Sequence, residues 1–380
     1  MAVLILAAWP LGADAFTGNP AGSAAQFLRL GVGARALGMG EAYGPIADGA
    51  DALYWNPAGL ARLNAPDAAY SHTEMLSFFH HDHMAYAHPV SFLGGTVGGA
   101  ATLFYQDSLD LVSNTNQNLG RYSVHSEAYS LAYARSVGSG DPGGVGLGLA
   151  MKYVQETIYD RRAGGLAFDG GALFRFQEVE PMTFSFAFRN LGPARRFINQ
   201  AEDLPAEMDF GASYDLKRGD RRLLVALEAA VPYYGAPFGK LGFEVPLKLG
   251  EESRAAFRLG YKTLPATDLG ALSGITCGFG LGRGRASFDF AFQPMAELGE
   301  VYRFSLGYRF ARSEESEPQP RYRERAKEAE EVKPKPVYRE RVKEAEKAKP
   351  KPIKREKPGR VKPRSISPSG ASDGSVETPW

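Results

Sequence analysis

Alternation of apolar and polar residues is the feature that most restricts the fold of this chain. In residues 301–310 an apolar side chain stands at every second position from Tyr302 to Phe310, and charged or small residues stand between them. Successive side chains of a β-strand point to opposite faces, so this segment would have one aromatic face and one charged face. A strand of this kind is typical of a membrane β-barrel wall, with lipid outside and water inside.

The same alternation recurs from residue 67 to residue 310 and predicts fourteen strands. Most of them have 9–12 residues, the length that a tilted strand needs to cross a bilayer. We therefore predict an all-β fold, a 14-stranded antiparallel transmembrane β-barrel over 67–310. The predicted strands are 67–76, 83–91, 95–106, 127–137, 143–154, 165–176, 182–191, 206–216, 223–232, 239–248, 254–263, 273–283, 286–294 and 301–310.

The predicted connections alternate in length. The odd-numbered connections contain 6–20 residues, and the even-numbered ones contain 2–6. In an outer-membrane barrel with both ends in the periplasm, odd connections are longer extracellular loops and even ones are short turns. The alternation in length favours such a barrel over the alternative of an exported soluble β-protein with hydrolase activity.

Residues 16–66 are rich in Gly and Ala and do not alternate. Two short helices are predicted there, at 23–30 and at 48–55, the second with Asp48 as its N-cap and stopped at Asn56-Pro57. Small residues on the inward faces of several strands leave room inside the barrel, so we expect 16–66 to fold into the lumen as a hatch. These small rows are Ser130/Ala132/Ala134, Gly146/Gly148/Ala150 and Gly278/Gly280/Gly282.

Two stretches of this segment, FLRLGVGARALGMG (27–40) and ADGADALYWNPAGLA (47–61), resemble the PorV/PorQ family of outer-membrane proteins within the wider group of FadL-like barrels. The resemblance implies a fourteen-stranded barrel whose hatch contains the motif Asn56, Pro57, Ala58 and Gly59. It also implies one of two functions, a carrier in type IX secretion or a FadL-like conduit for hydrophobic molecules. The sequence leaves both open.

The chain departs from the usual family pattern in its tail, residues 311–380. With the tail present, the terminal strand signal formed by Tyr308 and Phe310 is internal. The tail has 19 basic and 13 acidic side chains, ten prolines, and a tandem 16-residue repeat at 321–336 and 337–352. Such a composition cannot bury a core. We expect a disordered or extended periplasmic tail, either a solvated linker or a tether to peptidoglycan or a periplasmic protein, which would make the barrel a structural anchor.

Residues 1–15 are predicted to be a signal peptide, with an apolar run at 3–11 and small residues in Ala13-Asp14-Ala15. A buried N-terminal strand or helix is the alternative. Beyond this segment no stretch reaches the ~18 consecutive apolar residues of a membrane-spanning helix. We therefore expect the protein in the cell outer membrane, with its tail in the periplasm.

Four other features have competing interpretations. Residues 31–36 match G-x-G-x-x-A, but strands without intervening helices argue against a dinucleotide-binding fold. Residues 79–83 (FHHDH) fall in the first predicted outer loop, where a solvated polar loop is favoured over a metal site. Cys277 is expected to face lipid. Pro246 predicts either a bulge that opens the wall sideways or a tolerated irregularity.

No Ser/His/Asp arrangement, phosphate-binding loop or paired-carboxylate signature is present in the sequence. We therefore expect a protein that is not an enzyme and has no catalytic residue, cofactor or metal. The expected partners are outer-membrane lipid together with secretion-system components or hydrophobic small molecules, and not nucleic acid.

Overall fold

The computed structural model describes residues 23–76, 78–138, 144–176, 182–197, 200–219 and 221–311. The predicted signal peptide, the beginning of the predicted hatch (16–22) and the predicted tail from 312 onward, with its repeats, lie outside the described residues. In the part described, no helix is both long enough and apolar enough to span a membrane.

Within these ranges the chain is mostly β-sheet. The strands are β1 (Asp67–Met75), β2 (Phe79–Val90), β3 (Gly95–Gln106), β4 (Leu109–Val112), β5 (Asn118–Tyr122), β6 (Val124–Val137), β7 (Val145–Ile158), β8 (Arg161–Phe176), β9 (Met182–Leu191), β10 (Arg195–Phe197), β11 (Gln200–Glu202), β12 (Glu207–Arg218), β13 (Arg221–Pro232), β14 (Phe238–Lys248), β15 (Ser253–Lys262), β16 (Ile275–Arg283), β17 (Ala286–Pro294) and β18 (Glu300–Arg309).

Fourteen of these strands form one closed antiparallel barrel, which confirms the predicted fold class. Their order around the wall is β1-β18-β17-β16-β15-β14-β13-β12-β9-β8-β7-β6-β3-β2. The first and last strands close the wall, with Asp67 opposite Arg309 and Met75 opposite Val301. The pairs β4–β5 and β10–β11 are separate two-stranded sheets within loops.

The two faces of the wall differ as the alternation predicted. Outward positions carry large exposed side chains such as Tyr302, Phe304 and Leu306, and Cys277 is exposed on the same side. The predicted small rows of β6, β7 and β16 lie on the inward face. Because a strand puts alternate side chains on opposite faces, the period of two was sufficient to predict which residues form these rows.

Two predicted connections are wrong. The fifth connection, predicted at 155–164, is a two-residue turn at Tyr159 and Asp160, because β7 and β8 run on past their apolar stretches. Residues 79–83, predicted in the first loop, begin β2: the side chains of His81 and His83 are buried on the inward face. The sequence prediction made these strands too short because their ends are polar. A strand that extends beyond the apolar band can be polar on both faces, so the alternation is lost there.

The three longest connections are 107–123, 192–206 and 263–274. They all lie at the end of the barrel opposite to the start of β1 and the end of β18. We call the end with the chain termini of the barrel the terminal rim and the other end the loop rim. At the loop rim the last of these connections contains a helix at Thr263–Leu269, which we number α3 because two helices precede it in the N-terminal segment.

The N-terminal segment 23–66 is built from short turns of helix. Helix α1 spans Ala34–Gly38 and α2 spans Ala52–Trp55, and the segment has 3-10 helices at Gln26–Arg29, Gly44–Ile46 and Pro57–Arg62. Three further 3-10 helices lie in connections between barrel strands, at Ser91–Leu93, Ala271–Gly274 and Ala296–Leu298. The predicted helix at 48–55 is shorter than expected, because its N-cap is Asp51 rather than Asp48 and no side chain caps it. The main cluster of buried apolar residues joins this segment to the inner wall: it includes Leu53, Trp55 and Ala132.

Candidate functional site

The lumen of the barrel is occupied by residues of the segment 23–66. Glycines on the wall make this possible, because side chains there would collide with the segment. A Cβ on Gly148 would overlap the backbone of Pro57, and a Cβ on Gly260 would overlap the amide of Gly40. The inward glycines therefore serve close approach between backbones.

Wall side chains accept hydrogen bonds from the backbone of the segment. The amide of Ala34 donates to Ser305 Oγ (2.7 Å), that of Gly40 to Thr276 Oγ1 (3.0 Å) and that of Gly44 to Glu228 Oε2 (2.7 Å). Short helical turns leave many of their own amides without an intrahelical partner, and buried amides need one. The wall supplies these partners, so the segment depends on the barrel for its conformation.

Buried ion pairs also join the segment to the wall. Glu41 lies 2.5 Å from Lys262 Nζ and 3.9 Å from Arg303. Arg35 makes a forked contact with Glu244, at 2.8 and 2.9 Å. Burial alone raises the pKa of Glu41, but the positive charges of Lys262 and Arg303 outweigh it and lower the pKa to about 2. The carboxylate is therefore ionised at neutral pH.

A second charged network belongs to the wall itself. Lys240 lies 2.7 Å from Glu228 and 3.2 Å from Asp209, and Arg189 lies 2.8 Å from Asp209 and also contacts Glu207. The aromatic rings of the segment cover these cations. The Arg189 guanidinium lies over Tyr54 and Trp55, at 5.3 and 5.4 Å from the ring centroids. Cation–π contact in a desolvated site adds to the attachment.

The predicted hatch motif lies against β7, β8 and β9. Asn56 is completely buried: its Oδ1 accepts the amide of Ala58 at 3.1 Å, and its Nδ2 donates to carbonyl oxygens of the wall. Pro57 occupies the first position of the 3-10 helix, where no amide is required. A Cβ on Gly59 would meet Ala47 O at 2.5 Å. Through these contacts the four motif residues hold this part of the segment against the wall.

The predicted terminal strand signal is on the outer surface at the terminal rim. Tyr308 faces outward in β18, and Phe310 follows the strand, which ends at Arg309 rather than at residue 310. The amide of Phe310 still donates to Pro66 O at 2.9 Å, and its ring meets Tyr308 edge-on at 4.9 Å. The predicted signal therefore belongs to the outward aromatic face and not to the lumen.

The histidines of β2 do not form a metal site. His83 Nδ1 hydrogen-bonds Thr102 Oγ1 at 2.8 Å on the inward face. On the outward face Asp82 contacts His72 at 2.8 Å and accepts Tyr70 OH at 3.0 Å. Among the described residues no group of three His, Cys, Asp or Glu side chains could hold a metal ion. The strand separates the ligands that the sequence had placed together, because neighbouring residues face opposite sides.

A cavity of about 620 Å³ lies at the terminal rim, between the segment and the wall. Asp51 of the segment lines it, and within the described residues its buried Oδ1 has no hydrogen-bond partner. Burial, together with the nearby carboxylates of Asp67, Asp289 and Asp48, raises the pKa of Asp51 to about 7, although the positive charge of Arg303 opposes the shift. The segment therefore holds one carboxyl group that takes up a proton near neutral pH.

The alternation predicted charged residues on the inward face of the strands but could not identify their partners, such as the pairing of Arg189 with Asp209. It missed the roles of Arg35 and Glu41 entirely. The available signal was the presence of these two charges in a segment otherwise rich in Gly and Ala. A charge in such a segment is expected to have a partner when the segment is buried.

Comparisons with known proteins find similarity in fold alone. The sequence matches no family model, and no curated protein is significantly similar to it. The fold is similar to that of the toluene transporter TodX of Pseudomonas putida, with a TM-score of 0.50 and 9% identity over 73% of this chain and 96% of that chain. The toluene transporter TbuX of Ralstonia pickettii has a TM-score of 0.49 and 10% identity, covering 74% and 99%. A FadL homologue of Pseudomonas aeruginosa has a TM-score of 0.48 and 11% identity, covering 74% and 98%.

Proposed function

We propose that this protein is a FadL-like outer-membrane transporter that admits hydrophobic small molecules through a barrel closed by a hatch, residues 16–66. The outward aromatic face suits lipid, and the predicted signal peptide suits export. The terminal rim would face the periplasm, and the tail would extend from it. The observation that carries the proposal is a fourteen-strand barrel, similar in fold to a toluene transporter, whose lumen holds 23–66 through buried ion pairs.

The proposed function involves no covalent chemistry. Buried ion pairs join the hatch to the wall, as Glu41 is paired with Lys262 and Arg35 with Glu244. Such pairs stabilise one arrangement of hatch and wall, and breaking them costs free energy. Passage of a hydrophobic molecule would therefore require part of the hatch to move, and the proposed role of the network is to keep the resting barrel closed.

A disulfide between hatch and wall tests this role. A Cβ on Gly146 would lie 3.6 Å from the Cβ of Ala61, within the usual range for a disulfide. We expect A61C/G146C, in a Cys277→Ser background, to lose uptake of labelled toluene by cells when oxidised and to regain it on reduction. The two single-cysteine variants are the controls. Equal uptake in the oxidised and reduced forms would refute the gating role of residues 57–62.

Deletion of the hatch is a complementary test. We expect a chain without residues 20–60 to assemble, because the wall ladder does not include them, and to conduct ions in planar bilayers. The full-length protein should conduct little. If both forms conduct alike, residues 16–66 do not act as a hatch.

The resemblance of residues 27–61 supports a second candidate, a carrier in type IX secretion. The comparisons add no support to it, so it stays a prediction. The deciding observation is the gene neighbourhood, where adjacent type IX components would favour the carrier. The role of the tail as a periplasmic tether likewise stays a prediction, which cross-linking from Lys349 or Lys351 at low and high salt would test.

A further inference from the structure

The wall of the barrel has an unpaired stretch between β13 and β14 at the terminal rim. Their ladder runs from Ala230–Phe238 to Leu224–Glu244 and ends there, although β13 begins at Arg221 and β14 continues to Lys248. The same register would set Leu223 opposite Val245, and Arg222 opposite Pro246. On its other side β14 stays paired with β15 as far as Lys248. We call the stretch formed by 221–223 and 245–247 the seam.

Proline explains why the ladder ends at this point. Pro246 has no N–H to donate, so a central strand loses a ladder bond there. Of the two interpretations that the sequence left open at Pro246, a bulge and a tolerated irregularity, the bulge is wrong, because β14 and β15 keep their register across this residue. The irregularity is therefore a gap on the β13 side and not a bulge.

The seam separates the terminal-rim cavity from the apolar outer surface. Arg222 and Pro246, which the register would place opposite each other, both line the cavity. On the outer side Leu247 and Leu249 are 40% and 64% exposed. An elongated molecule lying in the seam would thus have one end in a polar cavity and the other against lipid.

The cavity contains two arginines available to an anion. Arg222 is paired with Asp215, and Arg309 is paired with Asp67. In the part of the chain that the structure describes, neither Arg254 nor Arg285 pairs with a carboxylate. Arg254 makes only a long hydrogen bond of 3.4 Å, to Gly284 O.

Space for one of these arginines is provided by the wall. A Cβ on Gly282 would lie 2.5 Å from Arg254 Nε, so the absence of a side chain at Gly282 admits the guanidinium. The cavity also extends to the turn that carries Arg285. Two guanidinium groups with free donors can bind the oxygens of a phosphate group in a forked geometry.

We propose that this cavity binds the phosphate headgroup of a phospholipid from the membrane leaflet at the terminal rim, with an acyl chain passing through the seam. The proposal rests on the proposed function only in placing the barrel in a membrane. Arg254 and Arg285 hold the phosphate, and the exposed leucines beside the seam contact the chain. The apolar side of the seam favours a lipid over free phosphate.

Binding of phosphatidylglycerol to the full-length protein, measured by native mass spectrometry in detergent, tests the headgroup site. We expect R254Q/R285Q to weaken binding at least tenfold. The matched control is R283Q, because Arg283 lies at the same rim but is exposed on the outward face of β16. Diacylglycerol has the acyl chains without the phosphate. It should bind to the unmodified protein no better than phosphatidylglycerol binds to R254Q/R285Q. Equal losses in R283Q and the double variant would overturn the proposal. Heat-modifiable migration checks that each variant is folded.

Closing the seam tests the route of the acyl chain. In a Cys277→Ser background, oxidised L223C/V245C should lose phosphatidylglycerol binding and keep binding of glycerol phosphate. The control is V225C/F243C, whose positions are already paired in the ladder, and it should bind lipid whether oxidised or reduced. Unchanged lipid binding after closure would refute the seam as the route. If the protein does not take up toluene but binds lipid as expected, the proposed transport function is refuted and the proposed lipid site is supported.

Discussion

Glu41→Gln would remove the negative charge from the most deeply buried ion pair between the hatch and the wall. The Glu41 side chain is 9% exposed and faces Lys262 and Arg303. Gln has the same shape and can adopt the same left-handed backbone, φ 61°. The variant therefore changes charge alone and leaves two cations in the lumen without their carboxylate.

The structure gives two routes to the size of the effect. Lowering the pKa of Glu41 from 4.5 to about 2 corresponds to about 3 kcal/mol in favour of the charged form. Removing one partner of a buried pair costs about 3–5 kcal/mol in other proteins. We therefore expect docking of the hatch to weaken by about 3 kcal/mol. Because the pKa is lowered on docking, this contribution is present above pH 4.5 and is lost as the pH falls towards about 2.

Hydrogen exchange of the hatch amides measures this effect. If the hatch undocks locally, about 3 kcal/mol corresponds to roughly a hundredfold faster exchange. The control is Asp48→Asn, because the Asp48 side chain is 48% exposed where it pairs with Arg35. Exposed pairs contribute at most about 1 kcal/mol. Similar exchange in the two variants would refute the conclusion that Glu41 anchors the hatch.

Three other changes address the lumen, the outer face and the effect of pH. Gly148→Ala should displace the backbone at Pro57 and weaken hatch docking by about 1–3 kcal/mol, seen as faster exchange in 57–62; Gly99→Ala, with only ordinary contacts, should not. Phe290→Arg, on the outward face, should lower the free energy of unfolding in urea by ~2–4 kcal/mol, and Phe290→Leu should lower it much less. Because burial and the neighbouring carboxylates raise the pKa of Asp51 from 3.8 to about 7, hatch docking should weaken as the pH rises from about 4 to about 7. In Asp51→Asn this dependence should vanish from exchange rates corrected for their intrinsic pH dependence; its persistence would assign it to another group.

The sequence by itself determined the wall of the barrel. The predicted strands 95–106, 182–191 and 286–294 have the bounds observed for β3, β9 and β17. Whether a residue faces lipid or lumen is a local property with a period of two, so it can be read without knowing which strand lies beside it. The failures at 79–83 and 155–164 occurred where polar residues occupy both faces near the rims.

Only the tertiary structure decided what lies inside the wall and where the wall is incomplete. Glu41 meets Lys262 across 221 positions of the chain, and no spacing in the sequence signals such a contact. The seam depends on the register between β13 and β14 as well as on Pro246. Closing the sheet into a barrel brings distant side chains into one lumen, where many of them are buried. There, pairing is set by geometry and desolvation, neither of which a linear pattern contains.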